Sequence, residues 1–410
     1  MKKTVLQINV TLNSGSTGRI AENIGKKIIQ AGGVSYIAYG RRITETASFA
    51  IKIGTLYDLF IQGVQTRLFD KHSLGAKMAT KDLIREISRI NPDIIHLHNL
   101  HGYYLNIELL FSFLKEYNKP VVWTFHDCWP FTGHCTFFDH INCTKWESEC
   151  FDCPLKSSYP ASYLLDQSKV NFVIKKKLFT SLDNLSVVTV SNWLRGKVEK
   201  SFLRPALLQT IYNGIDLSIF KPGSSDIKKR FGIDGRKYIL GVADRWSERK
   251  GFDDFLKLRK MIDPEILIFL VGLNSAQRLR LPKNIKGIRH TENIKDLAAL
   301  YAEADVFVNP SILESFGMVT AEAMACGTPV VVYNCTASPG IVKPGTGYVV
   351  EKRDIKELHV AVMKIISDGK EKYSAECRRN AENLFDMEKQ YSQYIDLYNK
   401  ISPDNPELNT

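Results

Sequence analysis

Glu314-Ser-Phe-Gly-Met-Val-Thr-Ala-Glu322 is the stretch whose reading decides the fold of this chain. An apolar strand, Asp305-Val-Phe-Val-Asn-Pro310, leads into it. A helix follows through Glu322-Ala-Met-Ala-Cys-Gly327 and is expected to stop at the glycine. A second apolar strand, Thr328-Pro-Val-Val-Val-Tyr333, comes at once. Strand, loop, helix and strand put the loop at the carboxyl end of a buried strand, where open α/β sheets bind ligands. Gly317 lets the backbone approach a ligand closely. The free amides and dipole of the helix start suit a phosphate. Glu314 and Glu322 beside an anion site make sense if the ligand is also rich in hydroxyls, as a nucleotide sugar is. Taken alone, the two glutamates fit equally well an ordinary α/β unit with an exposed Glu at each end of a loop.

Working outward, Asp244-Arg245-Trp-Ser-Glu-Arg-Lys250-Gly251 follows an earlier strand, Tyr238-Ile-Leu-Gly-Val-Ala243, and precedes a helix expected from Gly251 to Met261. Arg245 and Lys250 near a helix start make a candidate pyrophosphate site. Ile266 to Val271 is another strand, and Asp296 to Ala302 a helix. Upstream, Asn213-Gly-Ile-Asp216 and Phe220-Lys-Pro222 carry the turn chemistry of an interdomain linker.

The first half opens in the same way. Val5 to Val10 is a strand, Leu12-Asn-Ser-Gly-Ser-Thr-Gly-Arg19 a small-residue loop, and Ile20 to Gln30 a helix. The loop lacks Gly-x-Gly-x-x-Gly, so no dinucleotide is indicated. Gly15 and Gly18 either admit a substrate or only make a tight turn. Asp93-Ile-Ile-His-Leu-His98 and Val121-Val-Trp-Thr-Phe-His126 are buried strands, and His126-Asp127 closes the second. Residues 41–80 carry no clear signal beyond mixed basic and apolar stretches. The tail from Asp386 to Ile401 is a helix expected to return to the first domain.

Length and composition agree with two globular domains. The chain has 410 residues, 44% hydrophobic and 24% charged. The short run after Lys2-Lys3 is interrupted by Gln7 and Asn9, so it is a strand and not a signal peptide. No apolar run reaches transmembrane length, which leads to the expectation of a cytoplasmic protein. A formal charge of +11 invites nucleic acid or an anionic membrane. No nucleic-acid-binding pattern is present. Ser168-Lys-Val-Asn-Phe-Val-Ile-Lys-Lys-Lys-Leu-Phe179 is a basic amphipathic helix that either lies on anionic lipid or packs its apolar face on its own domain.

Five of the eight cysteines crowd together: Cys128, Cys135, Cys143, Cys150 and Cys153, with His134 and His140 among them. Cys150-x-x-Cys153 is a chelating pair. Cys135, Cys143, Cys150 and Cys153 are the candidate ligands of a structural zinc, with free reduced thiols as the alternative.

The second half resembles the donor domain of glycosyltransferase family 4, which has the GT-B fold. The residues that carry the resemblance are Arg-x(4)-Lys-Gly at 245–251, Ala-Asp-Val-Phe-Val-Asn-Pro-Ser at 304–311, and Glu-x(7)-Glu at 314–322, in the family's order and spacing. The resemblance is specific over 210–333 and looser in the first half. It implies two Rossmann-like domains facing a cleft, residues 1–213 and 214–385, with 386–402 crossing back to the first. It also implies a retaining, metal-independent hexosyltransferase that moves a sugar from a nucleotide donor to a glycan or lipid-linked acceptor, as in bacterial surface polysaccharide biosynthesis at the inner face of the membrane. No cofactor is then required for catalysis. Carried over by position, Arg245 and Lys250 hold the pyrophosphate, Glu322 the ribose, and Glu314 with the backbone of Phe316, Gly317 and Met318 the transferred sugar. Gly18 approaches the donor phosphates, and His126 hydrogen-bonds the sugar near the reacting carbon. One departure stands at Ser338-Pro339-Gly340, where members often carry a Glu; it puts a local donor contact in doubt. A GT-B nucleotide-sugar epimerase and a non-catalytic zinc-stabilised binding protein remain alternatives. A metal-dependent GT-A enzyme is disfavoured by the lack of a convincing Asp-x-Asp after a strand.

Overall fold

The computed structural model describes residues 2–233 and 235–403. The chain divides into two units: one runs to Ile211 and resumes at Tyr391, and the other is Tyr212–Gln390.

The first unit is built on a seven-stranded sheet. Its strands are β1 (Thr4–Asn9), β2 (Val34–Tyr39), β3 (Phe49–Lys52), β4 (Ile94–Leu97), β5 (Val121–Phe125), β6 (Leu185–Thr189) and β7 (Leu207–Thr210). Their order is β3-β2-β1-β4-β5-β6-β7 and every pairing is parallel. β4, β5 and β6 are buried at every position, as central strands covered on both faces must be. Chain order reverses between β1 and β4, so their carboxyl ends open a crevice.

The second unit repeats the design with β8 (Tyr238–Val242), β9 (Leu267–Val271), β10 (Ile285–Ile288), β11 (Val306–Asn309), β12 (Val330–Tyr333) and β13 (Gly347–Val350). The order is β10-β9-β8-β11-β12-β13, again all parallel. Its reversal falls between β8 and β11. These are the strands that feed the Arg245 and Glu314 loops, so the two motifs meet at one crevice.

Several boundaries move. The first helix is Gly15–Gln30, so it already includes Gly15 to Arg19, which the small residues had suggested as loop. The unreadable stretch 41–80 holds β3, the helix Leu56–Phe69 and the start of the helix Lys77–Ile90. Thr55 and Asp58 form a reciprocal cap on Leu56–Phe69, a signal present in the sequence. Helix periodicity did not reveal this element because its exposed face is apolar: Leu56, Tyr57 and Phe60 are 82%, 72% and 66% exposed. The helix Ser168–Phe179 buries Phe172, Lys175 and Phe179 in the first unit, as its packing reading expects. Among the described residues no helix is long and apolar enough to cross a membrane.

Met387–Ile401 is the last helix. Within the first unit, Tyr391, Tyr394 and Tyr398 are almost wholly buried, and two of them reach the sheet by hydrogen bonds described below.

Candidate active site

In the second unit the helix Met318–Ala325 begins at Gly317, whose φ of +102° suits glycine. Phe316 is buried against Tyr212 and Phe385, with ring centroids 6.0 and 5.4 Å away, so only its backbone is offered to a ligand. The Thr320 and Ala321 amides bond back to the Gly317 carbonyl. Those of Met318 and Val319 remain as open N-terminal donors. Asn309, at the end of β11, donates to Thr320 Oγ1 at 2.9 Å and fixes where the helix starts.

Gly251 packs so tightly on Pro310 that a Cβ would lie 2.5 Å from the Pro310 carbonyl oxygen. That contact brings the turn Glu248–Lys250 against the Glu314 loop, and the Lys250 ammonium forms an ion pair with Glu314. Glu314 is further held by Thr336, whose hydroxyl accepts from the Glu314 amide at 2.9 Å. Glu322 lies about one turn into the helix Met318–Ala325 and accepts the Tyr301 hydroxyl at 3.1 Å. Burial and the neighbouring Glu322 carboxylate raise the Tyr301 phenol well above its usual range, so it stays a donor. Arg245 is exposed and has no acidic partner among the described residues. Of the sequence-predicted residues, Lys250 and Glu314 are in direct contact; Arg245 lies on the loop after β8, and Phe316, Gly317, Met318 and Glu322 on the loop and helix after β11. Tyr301 was missed, since nothing in the spacing of its helix marks which face it presents.

In the first unit β5 delivers His126 and Asp127. A chain of hydrogen bonds fixes the tautomer of His126. Gln7 Nε2 donates to the Ala21 carbonyl at 2.9 Å, so Gln7 Oε1 faces His98. His98 Nε2 is 3.0 Å from that oxygen and must carry its proton. His98 Nδ1 is then an acceptor, and His126 Nε2, 3.1 Å away, must donate to it. His126 Nδ1 is left with a bare lone pair and no partner among the described residues. Burial pushes the His126 ring down to about 4, so it is neutral at physiological pH.

The ring behind is locked as well. His96 lies 4.1 Å from His98 between centroids. Thr124 donates to the Tyr394 hydroxyl at 3.3 Å, so its oxygen accepts from His96 Nε2 at 2.8 Å. His96 Nδ1 therefore accepts from Tyr398 at 2.6 Å. Burial takes His96 to about 3 and His98 well below its ordinary value. Beside His126, burial would raise the Asp127 carboxyl. His101 Nε2 at 2.8 Å and the Trp129 amide at 2.9 Å more than reverse this and hold it ionised. Sequence reasoning found His126 from its place at a strand end. Gln7 and His98 could be found only as polar residues interrupting apolar strands.

Gly18 sits inside the first helix, where a Cβ would come within 2.8 Å of Thr11 Oγ1. Its small size is thus already required by the loop it packs on. Gly15, at φ +68°, faces open space.

Cys135, Cys143, Cys150 and Cys153 line one small cavity, while Cys128 is buried outside it. Among the described residues no three His, Cys, Asp or Glu side chains already form a metal-binding set.

Two family profiles match the chain: "Glycosyltransferase Family 4" over residues 57–219 and "Glycosyl transferases group 1" over residues 224–384. A protein of Escherichia coli K12 named as colanic acid biosynthesis glycosyl transferase WcaC is 24% identical over 369 residues, covering 86% of this chain and 89% of its own. The D-inositol 3-phosphate glycosyltransferase of Mycobacterium sp. strain KMS is 28% identical over 319 residues, 73% of this chain and 66% of its own. Among solved structures, sucrose-phosphate synthase from Thermosynechococcus elongatus superposes with a TM-score of 0.72 at 18% identity, covering 98% of this chain and 99% of that one. Anabaena Alr3699/HepE, in complex with UDP-glucose, gives 0.67 at 17%, covering 97% and 100%. The repeated doubly wound sheet is thus the GT-B fold, and the protein is a glycosyltransferase. With profiles matching both halves, the chain belongs to glycosyltransferase family 4.

Proposed function

We propose that this protein transfers a sugar from a nucleotide-sugar donor to a glycan or lipid-linked acceptor, with retention of anomeric configuration and without a catalytic metal, in the biosynthesis of a bacterial surface polysaccharide. The observation that carries the reading is the crevice between β8 and β11. There two carboxylates, two cations and an open helix start are assembled for a ligand that is both a diphosphate and a polyol. The colanic acid relative and the UDP-glucose complex of a fold neighbour support the same choice.

In this reading Arg245, Lys250 and the amides of Met318 and Val319 receive the diphosphate. Glu322, steadied by Tyr301, accepts the ribose hydroxyls. Glu314 and the Phe316-Gly317-Met318 backbone hold the transferred sugar. His126 offers its Nδ1 lone pair to a sugar hydroxyl, and Gly18 stands near the donor phosphates. The anomeric carbon–oxygen bond to the phosphate breaks as the acceptor oxygen bonds to the same face. The acceptor's proton passes to the departing phosphate oxygen. Negative charge grows on the diphosphate, so Arg245 and the amides stabilise the transition state more than the bound donor.

An acceptor carried on lipid would bring the protein to the inner membrane surface from the cytoplasmic side. The exposed apolar start of Leu56–Phe69, with the exposed Arg67, Lys71 and Lys77 nearby in the chain, suits an anionic bilayer better than Ser168–Phe179 does.

The test is a thermal-shift screen of nucleotide sugars, followed by product analysis with the stabilising donor and by NMR of the new anomeric centre. Stabilisation by one donor and a product of unchanged anomeric configuration are expected. Inverted product would overturn the retaining mechanism. Epimerised nucleotide sugar without transfer would overturn the proposed reaction.

A further inference from the structure

Between Asp127 and Asp166 the first unit contains no strand and no α-helix, only three short 3-10 turns at Trp129–Phe131, Asp139–Ile141 and Lys145–Glu147. Loops of this length need something other than a backbone ladder to hold them. Part of the answer is a small aromatic core: Trp146 stacks on Phe138 at 4.8 Å and packs on Phe131 at 5.3 Å. The rest is a cavity of about 20 Å³ beside that core, lined by four of the region's five cysteines.

We propose that Cys135, Cys143, Cys150 and Cys153 bind one structural Zn²⁺ that clamps this segment. The fold makes the choice of ligands. Cys128 is fully buried and does not line the cavity, so it is not a ligand. His134 lines the cavity, but its Nδ1 is bonded to Asp70 at 2.6 Å and its Nε2 faces the Ser158 carbonyl at 3.4 Å. Both ring nitrogens are therefore engaged, which removes it as a ligand. Four thiols remain, the number a closed tetrahedral zinc site needs.

Local geometry fits thiolates. The Gly133 amide donates to Cys150 Sγ at 3.3 Å, a bond that favours ionised sulfur. Asp152 takes a left-handed φ of +42° between Cys150 and Cys153, which turns the pair tightly. The Cys135 thiol donates to Cys153, so these two sulfurs already lie side by side. Four thiolates and Zn²⁺ leave a charge of −2, and cations stand ready to offset it. Lys145 lines the cavity. The buried Lys175 amine donates to the Trp129 and Thr132 carbonyls at 2.8 and 3.0 Å. The four side chains do not yet form a coordination shell. Binding requires them to rotate into a cavity that they already line.

The clamp would act on the segment's two ends. Asp127, at one end, holds His101. Asp166, at the other, accepts the Cys153 amide. None of this depends on the sugar-transfer reading.

Elemental analysis of protein purified without chelator decides the matter. About one zinc per chain is expected, with Cys150→Ser and Cys153→Ser losing it and Cys128→Ser and Cys326→Ser retaining it. If the serine variants fail to fold, the wild type suffices: a zinc-stripping mercurial should release one zinc, and limited proteolysis should then cut between residues 132 and 158. Metal-free protein whose four cavity cysteines react freely with a thiol reagent, a disulfide among them, or another metal at this stoichiometry would overturn the assignment.

Discussion

Lowering the pH from 7 to 5 should unfold the first unit well before the second, because three neighbouring histidines are held neutral inside it. An unfolded histidine titrates near 6.5, whereas His126 is taken by burial to about 4 and His96 to about 3, with His98 also depressed. Below pH 6.5 the unfolded chain therefore binds protons that the folded one refuses. The stability contributed by the neutral rings is complete above about pH 6.5 and is lost as the pH falls toward the folded values. For His126 the linkage integral between pH 7 and pH 5 is about 2 kcal/mol, and His96 loses about the same. His98 shifts in the same direction and adds to a loss of about 4 kcal/mol from the other two, a large fraction of the stability of a domain. His134 runs the other way. Its pairing with Asp70 raises it, so its contribution is present in acid and is lost as the pH rises through its folded value. That offset is one residue against three. Urea unfolding at pH 7, 6 and 5 would follow Trp123, Trp129, Trp146 and Trp193 in the first unit against Trp246 in the second. Imidazole proton resonances would report His126 directly. A first-unit transition that keeps its midpoint from pH 7 to 5, or a native His126 that titrates near 6.5, would refute the burial of these histidines as neutral rings.

Other outcomes follow from the donor crevice and the exposed helix. Glu322→Ala should weaken nucleotide-sugar binding by about 1.5–3 kcal/mol, roughly tenfold or more, measured by calorimetry; unchanged affinity would remove Glu322 from the ribose site. Arg245→Ala should lower kcat more than it raises KM, since its charge matters most as the diphosphate departs; a change confined to KM would mean that it serves only ground-state binding. EDTA in a brief assay should leave the rate nearly unchanged, and immediate loss restored by Mg²⁺ or Mn²⁺ would contradict metal-independent transfer. Replacing Leu56, Tyr57 and Phe60 together by Ser should abolish co-sedimentation with vesicles rich in phosphatidylglycerol while leaving donor binding intact. Persistent sedimentation would move the membrane contact elsewhere.

What the sequence determined by itself is the part governed by local rules. The buried parallel strands declare themselves as short apolar runs, and Gly317 and Gly327 mark the ends of the helix that carries Glu322. Motif spacing in two separate segments, 245–251 and 314–322, with the family resemblance they carry, was enough to bring Glu314, Glu322, Arg245 and Lys250 forward as candidates. Tertiary structure decided what depends on partners distant in the chain. Lys250 meets Glu314 because Gly251 can lie against Pro310, and Tyr301 reaches Glu322 from another helix. Helix Leu56–Phe69 escaped notice because an outward apolar face does not follow inside-out patterning. His126 was visible as a polar residue at a strand end, but its protonation state was not. That state depends on Ala21 orienting Gln7, Gln7 orienting His98, and His98 orienting His126, a relay across four separate segments that meet only when the sheet forms. Likewise, the sequence offered five crowded cysteines, and only packing put four of them around one cavity and the fifth outside it.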